Sequence, residues 1–173
     1  MRSEERCAGR NAGRNGGIGS LFLAAALLTL SAFGAAAVEP RDGWEVKPTA
    51  KSYERLLRDL KAAVKANKMG LVTEAGPTEA AKKKLGVTIL GNRVVGVFRP
   101  DFAVKIVKLS EAAMIEAPIR FYVTEREDGK SVLSYKTPSF VFAPYAEEGG
   151  AALAATAKEL DAIFAKIAAD ALN

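Results

Sequence analysis

Histidine is absent from this 173-residue chain, and cysteine occurs once. Without histidine there is no Ser-His-Asp or Cys-His nucleophile system, no imidazole general base and no histidine-ligated metal. A single cysteine excludes an intramolecular disulfide, a four-cysteine zinc site and an iron–sulfur cage. A glycine-rich phosphate loop is missing too. Gly70, Gly76, Gly86, Gly91 and Gly96 stand singly at the ends of expected elements, where turn geometry accounts for them. No repeat and no low-complexity linker interrupts the chain. No cofactor is expected. What remains is a globular balance of 49% apolar and 26% charged residues, at a length that suits one domain.

The first forty residues read as an address. Arg2, Arg6, Arg10 and Arg14 outnumber Glu4 and Glu5, and no charge then appears until Glu39. Leu21 to Ala37 is dense in Leu, Ala and Phe and closes on Ala35-Ala36-Ala37. A positive start, a short apolar core and an A-x-A ending predict a secretory signal peptide over residues 1–37 and a periplasmic or secreted location. The competing reading is an uncleaved anchor across ~30 Å of hydrocarbon. The Ala and Gly content of the segment and its A-x-A ending favour removal. Cleavage takes Cys7 away and lowers the net charge from +5 to +3, which withdraws the main support for nucleic-acid binding.

Residues 38–173 read as a single α+β domain: a two-layer arrangement of a mainly antiparallel sheet against helices. Gly43–Pro48 is a short strand. Tyr53, Leu56, Leu57, Leu60, Ala63 and Val64 recur at helical spacing across Ser52–Lys68, with Gly70 in the place of a terminating glycine. Leu71–Glu74 is a strand and Pro77–Lys84 a short helix closed by Gly86. The valine-rich run Asn92–Phe98 predicts a central strand buried on both faces. Pro100 opens a helix with Phe102, Ile106, Leu109 and Ala113 on one face. Two strands, Ile119–Glu125 and Ser131–Thr137, flank Asp128-Gly129. A long helix covers Ala151–Leu172, preceded by a turn at Glu147–Gly150.

The register of the late hairpin follows from its side chains. A two-residue loop pairs Phe121 with Lys136 and mixes polar with apolar residues on both faces. A three-residue loop of Glu127-Asp128-Gly129, with Gly129 left-handed, pairs Phe121 with Tyr135 and Val123 with Leu133. That register gathers the apolar side chains on one face. It also sets Arg120 opposite Lys136 and Tyr122 opposite Ser134 on the other. Like charges across a strand pair cost up to about 1 kcal/mol unless something negative lies near. An internal carboxylate such as Glu74 or Asp101, or plain solvation, is the bland remedy. The sharper one is an anionic ligand or the acidic patch of a partner, held by Arg120, Lys136, Tyr122 and Arg99. Lys82-Lys83-Lys84 could bind phosphate or a membrane surface, but a run of this kind reads first as a solvated helix face.

The stretch Val94-Val95-Gly96-Val97-Phe98-Arg99-Pro100, then Ala117-Pro118-Ile119-Arg120-Phe121-Tyr122-Val123, Glu127-Asp128-Gly129-Lys130 and Leu133-Ser134-Tyr135-Lys136-Thr137-Pro138 resembles a bacterial family named only as domain of unknown function 302. The helix at Ser52–Lys68 followed by Gly70-Leu71-Val72 is similar to the family's opening. The resemblance implies a small α+β domain, often dimeric, with no established reaction. Arg99 stands where members commonly carry Asn. The His that many members have near the short helix, and the Cys that some have near Ile119, are absent here. Together these readings predict an exported, non-catalytic domain that binds a small anionic ligand or a protein partner as a homodimer. It would have no metal, no nucleic acid and no membrane contact after leader removal. The alternative is an enzyme without His, Cys or metal, using Tyr122, Glu125 or Lys136 to handle protons.

Overall fold

Five antiparallel strands form one sheet, and the core-forming helices pack against one of its faces, in a computed structural model that describes residues 38–173. The leader expected at 1–37 lies outside the described residues. The strands are β1 (Trp44–Thr49), β2 (Gly70–Ala75), β3 (Asn92–Phe98), β4 (Ile119–Glu125) and β5 (Ser131–Lys136). Their order across the sheet is β1-β5-β4-β3-β2, so the first strand pairs with the last. The helices are α1 (Tyr53–Ala66), α2 (Pro77–Leu85), α3 (Pro100–Leu109), α4 (Pro138–Phe142) and α5 (Ala146–Leu172). The chain is an α+β protein. Among the described residues no helix is long and apolar enough to cross a membrane.

Side-chain alternation explains which face the helices take. Val95, Val97, Ile119, Phe121, Val123, Leu133 and Tyr135 occupy one face, and all are buried against α1, α3 and α5. The hairpin has the register that collects those residues: Phe121 faces Tyr135 and Val123 faces Leu133. Its loop holds three residues. Arg126 N–H donates to the Lys130 carbonyl at 2.8 Å, Gly129 N–H donates to the Arg126 carbonyl at 3.0 Å, and Gly129 has φ +76°.

Local sequence sets most element ends. The Ser52 hydroxyl caps α1 by accepting from Arg55 N–H at 3.3 Å. At the other end the terminating residue is not Gly70, which opens β2. Lys68 takes the left-handed conformation (φ +59°), Lys68 N–H donates to the Lys65 carbonyl, and Met69 N–H donates to the Val64 carbonyl. Those two crossed bonds are a Schellman ending, and burial of Met69 in the core holds the lysine in its unfavourable backbone region. Within α5, Gly150 (φ +56°, ψ −152°) breaks the helix, so the long continuous stretch starts at Ala151 and the Glu147–Gly150 region is a helical turn ahead of the break.

β3 departs from the expectation of burial on both faces. Val95 and Val97 lie in the core, and Gly96 is covered on the opposite face. There a Cβ would meet the Thr73 hydroxyl at 2.1 Å and Pro118 at 2.9 Å. Val94, two residues earlier on that same face, is only half-buried and lines an open groove. Proline and glycine seal one end of the face and leave the other end open.

Candidate functional site

The sheet face opposite the helices carries a groove of about 450 Å³, within the range of small-molecule sites. Trp44 of β1, Asn92 and Val94 of β3, Arg120 and Tyr122 of β4, and Lys136 of β5 line it. Four of the five strands contribute. The pairing that puts Phe121 opposite Tyr135 brings Arg120 level with Lys136, and Trp44 sits beside Lys136 on the next strand. Val141 of α4 and Ile119, at the groove's margin, add apolar lining.

The cations converge on the indole. Lys136 Nζ lies 5.8 Å from the Trp44 ring centre, and the Arg41 guanidinium carbon lies 5.2 Å from it. Both distances allow cation–π attraction, which fixes the ring between two positive groups. Neither Arg120 nor Lys136 makes an ion pair among the described residues. The Tyr122 hydroxyl accepts a short hydrogen bond from the Asn92 side-chain amide, which orients the phenol at the groove's edge.

One carboxylate lines the groove. Glu116, at the end of a short 3₁₀ turn (Ala112–Glu116), accepts from the Tyr145 hydroxyl at 2.8 Å. That hydrogen bond to the carboxylate raises the Tyr145 phenol above its ordinary value. The carboxylates expected to neutralise the pair lie elsewhere. Glu74 is 2.6 Å from Lys61 and 3.7 Å from Arg93, and Asp101 is held by Arg99. The phenol of Tyr135, whose strand also borders the groove, is pushed up to about 12 by burial, with Glu45 and Asp161 adding to the effect. It stays protonated across the physiological range.

Arg120, Tyr122 and Lys136 therefore come together, and Arg99 does not join them. Its guanidinium forms two bonds to Asp101, at 2.7 and 3.0 Å, and lies 4.2 Å from the Phe102 ring centre. The Arg99 pair holds the Asp101 carboxyl below the usual range. A carboxylate two residues along the chain captures the arginine before the groove does. Glu125 also stands apart: its carboxylate accepts from Gly91 N–H at 2.7 Å, beside Tyr53 in a second cleft. The groove residues that sequence reasoning missed are Trp44, Asn92, Val94 and Glu116. Trp44, the sole tryptophan, in a predicted strand was a signal that could have been used. Nothing local places it next to Lys136.

The fold and this face define a class: a small α+β domain with helices on one side of an antiparallel sheet and a cation-bearing groove on the other. The chain belongs to the family described as "Domain of unknown function DUF302", whose model matches residues 44–168. It is similar in fold to an uncharacterized conserved protein DUF302 from Bacillus stearothermophilus known from a crystal structure. The TM-score is 0.65 at 14% identity, covering 75% of this chain and 98% of that one. No curated protein matches.

Proposed function

We propose that the processed chain is an exported, non-catalytic binding domain whose sheet groove takes a small anionic molecule with an apolar or aromatic body. The observation that carries this reading is the juxtaposition of Arg120 and Lys136 across β4 and β5, beside the Trp44 indole and above an apolar lining. Two neighbouring cations without a carboxylate partner repel each other, and a bound anion replaces that repulsion with charge-assisted hydrogen bonds. Glu116 opposes binding of compact, multiply charged anions such as phosphate. A single carboxylate or sulfonate carried on an apolar frame suits the groove better.

The test uses thermal unfolding together with the fluorescence of the single tryptophan. A panel of aromatic and aliphatic carboxylates, with inorganic phosphate as a control, is expected to contain members that raise Tm and change Trp44 emission. Arg120→Glu is expected to abolish both responses. Stabilisation that persists undiminished in that variant removes the groove from consideration.

The reading includes a homodimer, supported by β2, an edge strand paired only with β3, whose Val72, Thr73, Glu74 and Ala75 are exposed. Light scattering of the processed form is expected to give twice the monomer mass across micromolar concentrations. A monomer mass throughout that range ends the dimer proposal and leaves the groove reading intact.

A further inference from the structure

The nine residues Lys82–Leu90 are all solvent-exposed. They comprise the last turn of α2 and the loop that follows. α2 buries none of its side chains, which is unusual for a helix in a small domain. Leu85 is 74% exposed, Val87 49%, Leu90 47% and Ile89 38%. Four large aliphatic residues within six positions are thus in water, directly after three consecutive lysines. None of the lysines makes an ion pair among the described residues. Contiguous exposed apolar surface of this kind marks a contact site.

The excursion is fastened where it leaves the body and where it returns. Asn92 N–H donates to the Thr78 hydroxyl at 2.9 Å, and Arg93 pairs with Glu79 at the first turn of α2. On the return, Gly91 N–H donates to the Glu125 carboxylate and Glu125 N–H donates to the Gly91 carbonyl. The Tyr53 ring packs so closely on Gly91 that a Cβ there would lie 2.5 Å from it. Gly86, left-handed at φ +68°, turns the chain between these fastenings. The tip is presented by a fixed base.

We infer that this tip docks the protein onto an anionic lipid bilayer, with Lys82, Lys83 and Lys84 at the headgroups and Leu85, Val87, Ile89 and Leu90 entering the acyl boundary. Charge complementarity selects that occupant. No acidic residue interrupts Ala80–Leu90, and the cations adjoin the aliphatic cluster. Residues 82–90 line none of the described cavities, so a protein partner finds no concavity to key into, whereas a bilayer requires none. The mode is peripheral, lying on the surface rather than spanning it, and it replaces the expectation of no membrane contact for the processed chain.

The reporter sits on the tip itself, so its emission reads the tip's own surroundings rather than attachment elsewhere in the chain. The full chain carries Val87→Cys in a Cys7→Ser background, labelled with an environment-sensitive fluorophore. Mixed phosphatidylcholine–phosphatidylglycerol vesicles are expected to shift its emission to the blue. Pure phosphatidylcholine vesicles should shift it far less, and added salt should weaken the response. Lys82→Glu, Lys83→Glu and Lys84→Glu together are expected to lower the apparent affinity on the order of a hundredfold. Leu85→Ser with Leu90→Ser should remove the shift at unchanged charge. An unchanged emission on anionic vesicles overturns the inference, as does a response indifferent to the lysines. A blue shift produced by raising protein concentration without lipid also overturns it, because a second copy then covers the tip.

Discussion

Replacing Phe164 by alanine is expected to cost about 3–5 kcal/mol of unfolding free energy, read from urea denaturation of the variant against the parent. Phe164 is fully buried on α5. Its ring stacks on Phe121 with centroids 4.6 Å apart and planes at 15°, and it lies 5.7 Å from the Tyr135 ring. Phe121 and Tyr135 meet edge to face at 5.1 Å across the hairpin. The three rings join the long helix to the paired strands β4 and β5. Truncation removes the transfer free energy of the ring and leaves a cavity that α5 cannot close, because α1, α3 and α4 hold it in place. A loss below about 1 kcal/mol would show that this contact is not central to the core.

Raising the pH from 8 to above 12 is expected to destabilise the parent more than the Tyr135→Phe variant, by up to about 2 kcal/mol. The Tyr135 phenol is pushed from its ordinary value of 10.0 up to about 12, chiefly by burial. In the unfolded chain it ionises near 10, whereas in the folded protein it keeps its proton for about two further units. Its native pKa is the higher one, so folding is not penalised below pH 10. Stability then falls as the pH rises from the unfolded value through the folded one. Lysine deprotonation affects both proteins and cancels in the difference. Parallel curves for parent and variant between pH 8 and 12 would refute the assignment.

Periodicity carried the reading as far as local contacts go. The hairpin register was legible because only one alignment puts Phe121, Val123, Leu133 and Tyr135 on one side, and water enforces that choice. The start of the long helix at Ala151 was legible because Gly150 ends what precedes it. Gly70 suits the end of α1 on sequence grounds, because glycine is the residue that most readily adopts φ > 0. The structure uses Lys68 instead, at a position a composition rule does not favour. Arg99 shows the opposite limit. It was expected in the groove, but Asp101 and Phe102, two and three residues further along the chain, capture it. Half the groove was invisible for a topological reason. Arg120, Tyr122 and Lys136 sit on one hairpin, whereas Trp44, Asn92 and Glu116 reach it from segments far apart in sequence. No short-range pattern encodes the pairing of β1 with β5.

That pairing has a consequence for the nascent chain. Trp44–Thr49 leaves the ribosome first among the strands, and its hydrogen-bonding neighbour Ser131–Lys136 follows about eighty residues later. Until then its backbone donors and acceptors face only solvent or whatever holds the emerging polypeptide. Synthesis that stops short of Ser131 supplies α1 to α3 and β2 to β4 but no strand for β1 to pair with. The groove is thus assembled late in translation, by the union of the chain's earliest strand with its last.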